Sequence, residues 1–173
     1  MANIVYVNNT SKLNKELSII VEEVIDVVSD KLLKDFREHL DNTIYKPSEA
    51  VYKRYYKLGG FYSGWDIDKT RKFVRELTFY PDKLIHPSKD GKNDFFRTGL
   101  AHGGAFPGTE DYRQDMPWIL NDITSNDEYS YAGGAHYLET TSEGYWDLYM
   151  RNIDNKVEEW LDAEFKKYGI TRR

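Results

Sequence analysis

A chain of 173 residues with 29 acidic against 24 basic side chains, net charge -5, has the length of one domain and lacks the cationic excess that nonspecific duplex binding needs. It contains no cysteine, which excludes a disulfide framework, a thiolate nucleophile and a thiolate metal site. Apolar residues at 40% predict a folded chain, while 14 tyrosines and a mean hydropathy of -0.71 place much of that content in rings suited to half-buried or partner-facing surfaces.

The first residues, Met1 to Val7, lack the basic start and long apolar run of a secretory signal, and Ile4 to Val7 reads as a short edge strand or an arm. No stretch approaches the ~20 apolar residues of a membrane span, so no membrane partner is expected and the chain reads as made in a cytoplasm. From about Ser11 to Leu40, apolar residues such as Leu13, Leu17, Val24, Val28, Phe36 and Leu40 recur at steps of three and four. This is a long amphipathic helix, with Thr10 or Ser11 as N-cap and Asp41-Asn42 at its close. At ~1.5 Å per residue it is roughly 45 Å long, more than a domain of this size spans, so it lies across a sheet or projects at one end toward a neighbour.

Phe73 to Tyr80 alternates in part and stops at Pro81, the clearest strand signal. Asp94 to Leu100 and Met116 to Ile123 are weaker strand candidates. The intervals 82–93 and 102–115, dense in Gly, Pro, Asp and Lys, read as loops, mobile until a partner orders them. A second helix is predicted from about Ser142 to Tyr168, capped by Thr141 or Ser142 and followed by Gly169 at the left-handed position. The elements make an α+β fold: a small antiparallel sheet flanked by a long N-terminal helix and a C-terminal helix, in one domain over 1–173.

Catalytic signatures are weak. His102-Gly103-Gly104 resembles an oxyanion-hole segment, but Gly60-Phe61-Tyr62-Ser63-Gly64 places its serine one position late for a nucleophile elbow. His39, His86, His102 and His136 are scattered, and Asp111 with Asp115, or Asp66 with Asp68, lack the spacing of a calcium loop. Gly103-Gly104 and Gly133-Gly134 lack the Lys-Ser/Thr of a phosphate loop. No catalytic, metal or cofactor residue is therefore assigned. Rings at Tyr52, Tyr55, Tyr56, Phe61, Tyr62 and Trp65, interleaved with Lys53, Arg54 and Lys57, could stack on bases, but in an acidic chain they read better as a protein interface.

The same region carries a family pattern: Ile44-Tyr45-Lys46-Pro47, Tyr52-Lys53-Arg54-Tyr55 and Leu58-Gly59-Gly60-Phe61, then Ala135 to Thr141 before the last helix. It resembles the tail-component proteins of tailed phages, which join head to tail, with His136-Tyr137-Leu138 standing where that family has Arg-Pro-Phe. The resemblance follows the order of elements over most of the chain, apart from 82–115. It implies a virion protein of the phage neck without catalytic residues, forming a ring with copies of itself, often sixfold, between adaptor proteins and tail-tube or tail-terminator proteins. DNA passes through such a ring without sequence-specific recognition.

The expected subunit-interface residues are Tyr45, Tyr52, Arg54, Phe61 and Trp65, with Phe106 and Tyr112 as loop anchors. Two other classes stay open: a small hydrolase with a site near His102 and Asp111, and a small host-directed protein-binding module.

Overall fold

The computed structural model describes residues 9–45, 61–84, 114, 116–125 and 143–171. Helix α1 spans Thr10–Leu40, 31 residues. Its N-cap is Asn9, one residue earlier than the sequence reading, with extended backbone and a side-chain oxygen that accepts the N–H of Lys12 at 2.8 Å. Val24, Val28, Phe36 and Leu40 form its buried stripe, and Arg37 and His39 place basic side chains in the last turn, where the helix dipole is negative. The α-helix closes at Leu40 with Asp41 as its C-cap, as expected, but the chain keeps turning. It widens into a π-type turn, Asp41–Tyr45, which the Thr43 hydroxyl supports by donating to the His39 carbonyl at 2.8 Å, and which delivers Ile44 to the core.

A short 3-10 turn, Phe61–Gly64, leads into strand β1, Trp65–Arg71, which pairs antiparallel with strand β2, Val74–Phe79. β2 matches the expected strand. β1 was not legible, because Lys69 and Arg71 stand where the alternation begun by Trp65 and Ile67 calls for apolar residues. Gly64 is required by close approach: a Cβ there would lie 2.5 Å from the Phe79 ring and 2.7 Å from Leu84, while its carbonyl takes the N–H of Tyr80 at 2.7 Å.

Helix α2, Met116–Ser125, replaces the strand expected over Met116 to Ile123. Met116 and Leu120, one helical turn apart, both enter the core, so the spacing of the two apolar anchors is helical. Helix α3 spans Tyr145–Lys167 and ends as expected at Gly169, whose φ of 75° is left-handed. It begins three residues after the expected Ser142, with Gly144 at the N-cap. The strand candidates Ile4 to Val7 and Asp94 to Leu100 lie outside the described residues. So does interval 82–93 beyond Leu84; its start is a 3-10 turn, Pro81–Lys83. Only Gln114 of 102–115 is described.

α1 carries the hairpin and α3 together, making the small α+β arrangement of sheet and flanking helices. On one side Lys69 pairs with Glu22, Arg75 with Asp26, and Lys72 reaches Ser18. On the other, Lys156 pairs with Asp35 at 2.9 Å, Lys31 with Glu164 at 2.5 Å, and the Tyr168 hydroxyl donates to Glu23. Rising α3 numbers meet falling α1 numbers, so the two helices are antiparallel. The centre is aromatic: Phe36 meets Trp65 edge-on at 4.8 Å and Tyr149 at 4.9 Å, and Trp65 stacks on Trp146 at 5.5 Å. Before Ser18, every residue from Thr10 to Leu17 is exposed, including Leu13 at 43% and Leu17 at 38%, so the first two turns of α1 project.

Candidate functional site

Concavities among the described residues include a broad one of about 580 Å³ beside Leu32, Glu76 and Met150 and two smaller ones at the ends of the helices. The first of the smaller two, about 410 Å³, lies between the end of α1 and α3 and is lined by Asp35, Glu38, His39, Asn42, Asn152 and Lys156 among others. His39 Nε2 sits 2.7 Å from the Tyr145 carbonyl, and a carbonyl only accepts, so that nitrogen carries the proton and Nδ1 is the basic one in the neutral ring. Burial holds the His39 pKa below its ordinary value, against the opposing pull of the Tyr145 carbonyl. Here is a neutral base with no free nucleophile among the described lining: the Thr43 hydroxyl donates to His39, and burial pushes the Tyr149 phenol up while its hydroxyl donates to the Leu32 carbonyl at 3.3 Å. The cleft ties the two helices together.

The second, about 310 Å³, opens between the hairpin and α2, where the start of α3 closes it. Trp65 and Tyr145 line it, with Phe79, Trp118, Trp146, two prolines and Gln114 completing the described lining. α2 turns Met116 and Leu120 inward, which leaves Trp118 on the opposite face at 67% exposure, the most exposed large apolar side chain described. Tyr145 is fixed by donating to the Pro117 carbonyl at 3.2 Å, and burial raises its phenol far above the ordinary range. Trp65 is 4% exposed, its carbonyl accepts from Arg37 at 2.8 Å, and its buried indole N–H has no acceptor among the described residues.

The sequence-flagged residues fall differently. Phe61, 6% exposed, and Trp65, 4% exposed, pack in the core of the chain itself. They were flagged for ring density, and ring density here builds the core. Tyr45 ends the π-type turn. Tyr52, Arg54, Phe106, Tyr112, His102 and Asp111 lie outside the described residues. Asp66 accepts from Lys83 at 2.6 Å and from the Ile67 N–H, which holds its carboxyl below its ordinary pKa, and Asp68 accepts from the Tyr80 hydroxyl. Both carboxylates therefore brace the hairpin. Among the described residues no three His, Asp or Glu side chains are grouped to hold a metal, and no helix is long and apolar enough to cross a membrane.

Trp118 was missed because its segment reads as a strand. Read at helical spacing, Met116 and Leu120 define an inner face, and a tryptophan two residues from each stands out as facing away. Compared with family models, curated proteins and solved structures, the chain matches none.

Proposed function

We propose that this chain is a structural assembly protein that docks other protein subunits through the Trp118 cleft, and that its setting is the head-to-tail joint of a tailed phage. The observation that carries the docking reading is Trp118, 67% exposed beside an aromatic cleft. Interfaces concentrate their energy in tryptophan, tyrosine and arginine at such pockets, and a solvent-facing indole has a favourable transfer to make on association. The projecting start of α1, with Leu13 and Leu17 exposed, offers a second contact surface. The phage setting rests on the resemblance over Ile44 to Phe61 and Ala135 to Thr141.

In this reading the chain forms a ring with its own copies between adaptor and tail proteins, and resides in the virion. Gradient-purified virions then contain the chain in fixed copy number, and its loss leaves filled heads and tails unjoined under the electron microscope. Virions that lack the chain, or heads and tails that join without it, rule the setting out.

A further inference from the structure

We infer that residues Ile4 to Val7 of one copy of this chain add as a strand to the outer edge of β2 in another copy, seated in the broad groove between β2 and α3. The groove, about 580 Å³, is lined by Glu76, Leu77, Thr78 and Phe79 in succession, by Leu32 of α1, and by apolar side chains of α3 that include Met150, Ile153 and Val157. Side chains alternate faces along a strand, so a groove touched by four successive residues opens on the strand's edge. The register agrees. The Tyr80 N–H bonds the Gly64 carbonyl, so Thr78 and Glu76, at alternate positions, turn their backbone groups toward β1, while Leu77 and Phe79 turn theirs away from it. The Trp65 carbonyl, opposite Phe79, is accordingly taken by Arg37 and not by β2. No described residue bonds the backbone of Leu77 or Phe79 on the outer side. Outward N–H and C=O groups beside an apolar floor suit a backbone that brings a ladder of its own, which is strand addition.

The occupant follows from composition and reach. Ile4-Val5-Tyr6-Val7 is the longest run of β-branched and aromatic residues in the chain. No side chain from Ala2 to Asn9 is charged, which suits a groove where Glu76 alone among the described lining residues carries a charge. Reach makes the contact intermolecular. Leu32 lies more than twenty positions past Thr10, roughly 33 Å along α1 at 1.5 Å per residue. Ile4, five positions before Asn9, extends back by about 18 Å when fully stretched, so it falls short of its own groove. The projecting first turns of α1 carry it toward a second copy instead.

The chain has no cysteine, so single cysteines report the contact cleanly. One full-length copy carries Met150→Cys, an exposed position at the groove, and a second carries Ile4→Cys, Val5→Cys, Tyr6→Cys or Val7→Cys. The two are mixed, oxidised mildly, and the disulfide-linked pair containing one of each is identified by mass. Its yield should alternate along the run, high at 4 and 6 or at 5 and 7 and about fivefold lower at the other two, as side chains of an added strand alternate. It should exceed by at least tenfold the yield with Lys34→Cys, an exposed control on α1, in place of Met150→Cys. Adding Val5→Pro and Tyr6→Pro to the Ile4→Cys and Val7→Cys copies removes two successive N–H groups, one of which would face β2, and should abolish cross-linking at an unchanged melting temperature. Equal yields at all four positions, a yield no higher than the control, or cross-linking undiminished by the prolines each overturns the inference. Purified chain suffices for this test, so its outcome leaves the Trp118 cleft and the phage setting to be judged by their own experiments.

Discussion

Asn121 of α2 caps α3 from outside that helix: its Oδ1 accepts the backbone N–H of Trp146 at 2.9 Å, and Gly144, at the N-cap position, has no side chain to do so. A Cβ on Gly144 would overlap the Asn121 carboxamide, so the absent side chain at 144 and the present one at 121 are a single device. Asn121→Ala is expected to cost about 1 kcal/mol, the usual worth of a cap. Gly144→Ala displaces the same carboxamide and costs a similar amount. The double variant should be little worse than either single one in urea denaturation. Additive losses would show that the two residues act independently.

The aromatic centre makes a stronger claim. Phe36 is fully buried and touches rings from β1 and α3, so Phe36→Ala opens a cavity where three elements meet. A loss of about 3–5 kcal/mol is expected, with Phe36→Leu costing clearly less. Denaturant midpoints check this, and a loss under about 1 kcal/mol for the alanine variant would contradict the packing described.

These two devices show how much was legible. The stripe from Val24 to Leu40 and the glycine at 169 are local patterns, and both elements formed where expected. The start of α3 was misplaced because its cap comes from Asn121, more than twenty residues away, which local capping rules do not see. β1 was hidden because its alternation, begun by Trp65 and Ile67, fails at Lys69 and Arg71. The cleft was invisible because Trp65, Trp118 and Trp146 are distant in sequence and meet only in the fold.

His39 gives a pH signature. Burial lowers its pKa in the fold, so the unfolded chain binds the proton more tightly, starting from the ordinary value of 6.5. Its contribution to stability is present above that value and is lost as pH falls from there toward the folded pKa. His39→Gln should flatten the change in melting temperature across that window. An unchanged slope would remove His39 as its source.

Glu164 acts lower on the scale. Hydrogen bonds from Lys167 first and Lys31 second hold its carboxyl below the ordinary value of 4.5. Its stabilisation is complete above that value and is lost as pH falls through the lowered folded pKa. Acid unfolding should begin at higher pH in Lys31→Met than in the parent chain, and an identical acid transition would contradict the link between α1 and α3 that this pair supplies.

The most direct measurement of the docking claim is assembly with Trp118→Ala replacing the parent chain, at matched expression and melting temperature. The side chain faces solvent, so the isolated fold should keep its stability to within about 0.5 kcal/mol. Head-to-tail joining, counted as complete particles under the electron microscope, should fall at least tenfold. Normal numbers of complete particles with the variant would contradict the claim.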